Sequence, residues 1–252
     1  MADGNEKEIT NLEQAQLDFI STVSHELRTP LTSIRGFADT LLSSGDRLTP
    51  EQREKFLTII KEQSNRLINL VENLLTASKV KLGEEMFVYK SVVPVSYIDS
   101  CIKLIKQKYQ THKFVFESEP KILPILIDTD KFQQIIINLL DNAAKYSPEN
   151  STVTVKILQS ITENLVKIEI TDEGEGISEE NQNKIFKRFS RIDSPLTRTV
   201  QGNGLGLFIT KKLTEKMNGQ ISVKSEQGEG STFVLTFPIA KVEDPCSKKL
   251  KE

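Results

Sequence analysis

Residues 19–31 read FISTVSHELRTPL and put a histidine, a glutamate, an arginine and a threonine on one stretch, directly before a proline. An imidazole titrates near neutrality and becomes a nucleophile once its proton is taken, a task suited to a neighbouring carboxylate. His25 and Glu26 are such a pair. Thr29 follows four residues after the histidine and shares its side of a helix. A His-Glu pair is also what any charged helix surface displays. The other histidine, His112, falls in a turn before a strand and is given no role.

More than a hundred residues later, four segments point at one ligand. In Asn138-Leu-Leu-Asp-Asn142-Ala-Ala-Lys145-Tyr146, the residues Asn138, Asn142 and Lys145 recur at i, i+4 and i+7 and share a helix face. Two amide oxygens can ligate Mg²⁺, and the lysine can meet a phosphate. The same spacing fits the polar face of an ordinary amphipathic helix, although two asparagines in mid-helix run against helix propensity. Asp172-Glu-Gly174-Glu-Gly176 follows a strand. Its glycines permit close backbone approach, and its aspartate can accept a hydrogen bond from an adenine amino group; a plain turn is the alternative. Gly202-Asn-Gly204-Leu-Gly206-Leu207 leads into a helix, where successive backbone N–H groups and a helix N-terminus favour an anion. No strand directly precedes it, which argues against a dinucleotide-binding fingerprint. The segment before it, Ser190–Gln201, reads as a lid. Phe186-Lys-Arg-Phe189 places two aromatics on a short helix, where packing against the sheet is the plainer role.

These groups need scaffolds. From about Glu6 to Ser43 the apolar positions Ile20, Val23, Leu27, Ile34, Phe37 and Leu41 alternate spacings of three and four, with Pro30 in the seam. That is a heptad seam, with a bend expected at the proline. At ~100° per residue His25 points about 200° away from Val23, hence to solvent. Thr49-Pro-Glu-Gln52 starts a second helix with a capping box and a proline at its first position. Its seam runs Phe56, Ile60, Gln63, Leu67, Leu70, Leu74, Ala77. A lone hairpin leaves Ile59, Val71 and Leu75 uncovered, so two hairpins are expected to pair into a symmetric dimeric four-helix bundle.

Beyond a linker at residues 81–93, with a short strand at Met86–Lys90, the texture changes. Expected elements are helix Val95–Gln110, strands Phe114–Glu117 and Pro124–Ile127, helix Thr129–Tyr146, and strands Val153–Gln159 and Leu165–Thr171. A helix capped by Ser178, a helix from Leu205 and a hairpin of Gln220–Ser225 with Thr232–Pro238 complete them. Such alternation gives an α/β sandwich of one mixed sheet and one helix layer. The expected division is an input coiled-coil helix (1–16), a dimerisation and phosphotransfer domain (17–80), the linker, a nucleotide-binding domain (94–240) and a disordered tail (241–252).

The 252 residues suit two domains, and a net charge of −2 provides no basic field for nucleic acid or anionic lipid. Cys101 and Cys246 match no metal spacing and read as a buried thiol and a tail thiol. No apolar run reaches the ~20 residues that span a bilayer, and the N-terminus carries no signal peptide, so a soluble, cytoplasmic location without membrane contact is expected. This leaves room for an upstream sensor or membrane segment in a longer form.

Taken in order, these motifs resemble the sensor histidine kinases of two-component systems, over roughly Leu17 to Pro238. HELRTPL is similar to that family's H box, Asn138–Tyr146 to its N box, Asp172–Gly176 to its G1 box, Phe186–Phe189 to its F box and Gly202–Gly206 to its G2 box. The resemblance implies a helical HisKA-type domain and a Bergerat-type ATP-binding fold, in an α+β multidomain chain. It implies that His25 is phosphorylated from ATP, that Glu26 assists deprotonation, and that Thr29 positions water for dephosphorylating a response regulator. Asn142 with Asn138 would hold Mg²⁺, Lys145 and Arg191 would touch phosphate, Tyr146 would line the pocket, and Asp172 would read adenine. Gly174, Gly176, Gly202, Gly204 and Gly206 would form the loops around the nucleotide. Asp141 stands where many relatives carry a second amide.

The partners implied are a second copy of the chain and the receiver domain of a response regulator. Two rivals remain at this level. ATP-hydrolysing relatives of the gyrase, chaperone and mismatch-repair type use a glutamate four residues before the metal-binding asparagine, and that position here is Asn138. A dimeric coiled-coil adaptor would bind nucleotide as a conformational signal without phosphorylating His25.

Overall fold

The computed structural model describes residues 2–44, 47–82, 85–190 and 204–240. The chain divides into two compact units, Met1–Thr76 and Ala77–Glu252. The division falls inside the second long helix, ahead of the expected linker.

The first unit is built from α1 (Ala2–Ser44) and α2 (Pro50–Leu82). Helix α1 runs on through Pro30, which is buried. The capping box opens α2 as expected: Gln52 N–H donates to Thr49 Oγ1 at 3.2 Å, and Thr49 N–H donates to Gln52 Oε1 at 3.0 Å. Two orphan donors of the first turn are thereby satisfied reciprocally. The hairpin is antiparallel, with the rings of Phe37 and Phe56 5.2 Å apart. Leu70 is buried, and Val23, Leu27, Ile34, Ile60, Leu67 and Leu74 are half-buried along the seam. The expected seam residue Ile20 is instead 53% exposed. The outer flank carries Leu31, Leu57, Ile68, Val71 and Leu75, all exposed, while Ile59 is half-buried.

The second unit contains β1 (Tyr89–Val92), α3 (Val95–Lys108), β2 (Lys113–Ser118), β3 (Ile125–Asp128), α4 (Thr129–Lys145), β4 (Thr152–Ser160) and β5 (Leu165–Asp172). It continues with α5 (Glu179–Gln182), α6 (Gly206–Lys216), β6 (Gln220–Glu226) and β7 (Gly230–Pro238). The main sheet has order β2-β4-β5-β7-β6, with β2 parallel to β4 and the other pairs antiparallel. Strict alternation buries Val153, Val155 and Ile157 of β4 and Val166, Ile168 and Ile170 of β5. One face of this sheet is therefore apolar and needs a cover. Helix α4 supplies it through Phe132, Ile135, Ile136, Leu139, Leu140, Ala143 and Ala144, with α3 and α6 alongside. Each fully buried Ile, Leu or Phe side chain contributes about 1.5–3 kcal/mol relative to exposure.

Three expectations change in detail. The sheet is not single: β1 and β3 pair antiparallel as a separate two-stranded ribbon. The cause is Asp128, whose Oδ1 caps α4 by accepting from the N–H groups of Asp130 and Lys131, each at 3.1 Å. Its Oδ2 accepts from Val88 N–H at 2.8 Å and so pins β1 beside β3. The helix expected behind Ser178 is a single turn, and the Ser178 hydroxyl accepts from Asn181 Nδ2 rather than capping backbone. The Phe186–Phe189 segment accordingly lies in turns, not on a helix, and closes at Phe189 with φ of 54°. Among the described residues no helix is long and apolar enough to cross a membrane. The tail 241–252, with Cys246, lies outside the described residues.

Candidate functional site

In the first unit His25 is exposed, as its place opposite the seam requires. The hydroxyl of Thr29 donates to the His25 carbonyl at 3.2 Å, so the two share one face of α1. Glu26 is held from across the hairpin: Arg66 Nη2 of α2 lies 3.3 Å from Glu26 Oε2.

In the second unit the candidate nucleotide groups come from the end of α4, the loop after β5 and the start of α6. Asn138, Asn142, Lys145 and Tyr146 are all half-buried. Asn138 Nδ2 donates to Thr210 Oγ1 of α6 at 2.8 Å, and Thr210 is only 1% exposed. A Cβ on Gly206 would lie 2.4 Å from Asn138 Oδ1. Only glycine lets the first residue of α6 come this close to α4. Lys145 Nζ stands 5.4 Å from the centre of the Tyr146 ring. Asp141 is turned to α3, where it accepts from Lys108 Nζ at 2.5 Å and Tyr109 hydroxyl at 3.0 Å. That placement explains why an acidic residue is tolerated beside Asn142.

Asp172 ends β5 and is 6% exposed. Its Oδ1 accepts from Gly174 N–H at 2.9 Å and Ser231 N–H at 3.1 Å. Among the described residues no donor meets Oδ2, which leaves that oxygen as an open acceptor on an otherwise buried side chain. Burial pushes the carboxyl up to about 6, against the pull of the two N–H donors. Gly174 is wedged between strand and helix: a Cβ there would sit 2.6 Å from Tyr146 O and 2.8 Å from Asp172 Oδ1. Gly176 follows with φ of 70°.

The turns at Phe186–Phe189 reach α6 through two stacked pairs. Arg188 lies 4.7 Å from the Phe208 ring centre, and Lys211 Nζ lies 5.5 Å from that of Phe186. Gly204 packs against the backbone of Phe189, with a hypothetical Cβ 2.7 Å from its carbonyl carbon. Arg191, Gly202 and nearly all of the expected lid lie outside the described residues. The structure thus brings together Asn138 with Gly206, and Tyr146 with Gly174 and Asp172. Sequence reasoning missed Thr210, Ser231 and Arg66. A threonine in the helix after Gly204-Leu-Gly206 was the available signal for the first, and Gly228-Glu-Gly230-Ser231 for the second.

A divalent cation can be tested against these donors. Among the described residues no group of three or more His, Cys, Asp or Glu side chains could hold a metal ion. A hard cation here needs amide oxygen and substrate phosphate as ligands, which is how Mg²⁺ is commonly held. Asn138 and Asn142 on α4 carry amide oxygens of that type, with the Asn138 side chain already bonded to Thr210 through Nδ2.

Comparison with known proteins agrees with the division of labour. Residues 15–83 match the "His Kinase A (phospho-acceptor) domain" family, and residues 127–241 match the "Histidine kinase-, DNA gyrase B-, and HSP90-like ATPase" family. The chain is 36% identical over 222 residues to the signal transduction histidine-protein kinase ArlS of Staphylococcus haemolyticus, covering 88% of this chain and 48% of ArlS. It is 34% identical over 228 residues to the sensor histidine kinase WalK of Bacillus subtilis, covering 90% of this chain and 37% of WalK. It therefore spans half or less of the length of these relatives. Among solved structures it resembles full-length ShkA in complex with AMPPNP, with a TM-score of 0.64 and 26% identity over 88% of this chain and 46% of that one. A phosphoacceptor-type helical hairpin followed by an ATPase-type sandwich, matched together in relatives of this kind, places the chain in the sensor histidine kinase family of two-component systems.

Proposed function

We propose that this chain is the catalytic core of a sensor histidine kinase that phosphorylates His25 from ATP in a homodimer and passes the phosphoryl group to an aspartate of a response regulator. The observation that carries the reading is His25 itself: exposed on α1 and followed directly by a carboxylate that α2 holds in place. The pairing of that hairpin with a nucleotide-type sandwich gives it a phosphoryl donor.

On this reading Asp172 Oδ2 accepts from the adenine amino group, and the N-terminus of α6 faces phosphate. Lys145 and Arg191 neutralise phosphate charge, and Tyr146 lines the pocket. Asn142, with Asn138, supplies amide oxygen to Mg²⁺, which when bound screens the phosphate charges. The lone pair of one imidazole nitrogen of His25 forms the N–P bond. The bond from the γ-phosphorus to its bridging oxygen breaks, and ADP leaves with that electron pair. The proton on the other imidazole nitrogen passes to Glu26. Positioning and charge stabilisation supply most of the rate in such transfers. Asn138, committed to Thr210, offers no carboxylate to activate water, which favours transfer to His25 over hydrolysis. Thr29 orients water when the core acts as a phosphatase toward the regulator. The exposed Leu31, Leu57, Ile68, Val71 and Leu75 support a second hairpin as the cover in the dimer. Use of ATP and a receiver domain fits a cytoplasmic location.

The test is incubation with γ-labelled ATP and Mg²⁺, comparing wild type with His25→Gln. Acid-labile, base-stable label present in the first and absent in the second is the expected result. Unlabelled wild-type protein that binds ATP would sink the kinase reading and favour an adaptor.

A further inference from the structure

We infer that Arg66 on α2 is a positioning residue for phosphorylation of His25, acting through Glu26; the inference rests on the proposed role of Glu26 as proton acceptor. The two residues are forty positions apart, yet Arg66 Nη2 and Glu26 Oε2 lie 3.3 Å from one another. Their side chains are 26% and 18% exposed, so the pair sits in the groove between the helices and not in open solvent.

The register of the hairpin delivers the arginine. Phe37 meets Phe56, and Glu26 meets Arg66, eleven residues back on α1 and ten residues on along α2. Those steps are about three helical turns on each antiparallel helix, so both contacts fall on the same seam. Between them the seam positions Ile34 and Ile60 are half-buried, and Pro30 is buried. Arg66 precedes the seam residue Leu67, and Glu26 precedes the seam residue Leu27. Each therefore flanks the same apolar layer.

The consequence is chemical. A glutamate on an exposed helix samples several rotamers, most of them useless to its neighbour. Arg66 selects one by binding Oε2, and among the described residues Oε1 has no donor, leaving it to accept the imidazole proton. Arginine suits the task because its planar guanidinium stays charged at every relevant pH and presents several donors. A lysine would restore charge but not the fork.

The experiment is a double-mutant cycle in the whole chain: wild type, Arg66→Gln, Glu26→Gln, and both together, with Arg66→Lys as the conservative variant. Initial rates of acid-labile labelling are measured at saturating ATP and Mg²⁺, with the ATP KM and the melting temperature recorded for each protein. Misplacing a catalytic group by about an ångström costs up to ~100-fold, so Arg66→Gln is expected to slow labelling at least ~10-fold with ATP KM unchanged. Arg66→Lys should recover part of the rate. In the Glu26→Gln background, adding Arg66→Gln should cost nothing further.

Independent, multiplying losses in the double variant would overturn the inference, as would a wild-type rate for Arg66→Gln beside a slow Glu26→Gln. A Glu26→Gln protein as fast as wild type would remove the base reading itself, and this inference with it. Should Arg66→Gln unfold the hairpin, the cycle is read with Arg66→Lys against Glu26→Gln on the same criteria.

Discussion

Asn138 and Thr210 join two helices through one 2.8 Å hydrogen bond, from the amide Nδ2 on α4 to the hydroxyl on α6. The bond holds the start of α6, where Gly206 nearly touches Asn138 Oδ1, against the face that carries Asn142 and Lys145. Gly206→Ala inserts a Cβ into that contact and should displace the Asn138 amide, loosening its bond to Thr210. Overpacking of this kind costs about 1–3 kcal/mol. The expected outcome is a lower melting temperature together with weaker nucleotide binding by calorimetry. Shortening Asn138 to serine in the same protein should relieve part of the thermal loss. Full additivity of the two substitutions would refute the contact as its cause.

Thr49→Ala removes one arm of the capping box that starts α2. The loss should be about 1 kcal/mol, typical of an N-cap, read as a lower thermal midpoint of the hairpin. Gln52→Ala should cost less, because it unties only the Thr49 N–H, which water can reach.

How much of this was legible in the sequence differs by level. The capping box, the seams of α1 and α2 apart from Ile20, and the alternating strands β4 and β5 follow from local pattern, because burial on one face imposes a period. The separate β1–β3 ribbon was not legible. It depends on Asp128 serving two elements at once, a relationship between residues forty positions apart. The one-turn α5 was misjudged because Ser178 looks like an N-cap, yet its hydroxyl bonds the Asn181 side chain. At the site, the glycines and the polar residues of α4 announced themselves by type. Arg66, Thr210 and Ser231 did not, since each acts by meeting a partner that only the tertiary register supplies.

Asp172 predicts opposed effects on stability and binding. Its folded carboxyl titrates near 6 because it is buried, above the ordinary aspartate range near ~4. The folded state holds that proton more tightly than the unfolded chain does. Its contribution to stability is therefore full below about pH 4 and lost as pH rises toward 6 and beyond, on the order of 2–3 kcal/mol. Asp172→Asn keeps an Oδ1 acceptor for Gly174 and Ser231 and removes the buried charge. The variant should melt higher at pH 7 while binding ATP at least ~10-fold more weakly, since the open acceptor oxygen for adenine is replaced by an amide donor. In the wild type, ATP affinity should fall as pH drops below about 6; a flat profile would refute the carboxylate as the adenine acceptor.

Asp128, in the same unit, should titrate with the opposite sign. Burial acts to raise its carboxyl, but N–H groups of Val88, Lys131 and Asp130, with the Lys131 charge, outweigh it and hold the group below the ordinary range. Its stabilising contribution is present above the unfolded value and lost as pH falls through the lowered folded value. Asp128→Ala removes the α4 cap and the tie to Val88. The cap contributes about 1–2 kcal/mol; Val88 is exposed, so water can replace the second bond. The thermal midpoint should therefore drop at pH 7 and converge on wild type in strong acid. Because Asp172 is lost to charge and Asp128 to protonation, their two variants measured from pH 3 to pH 8 should diverge in opposite directions. A common direction would mean that overall net charge, and not these two local environments, sets the acid response.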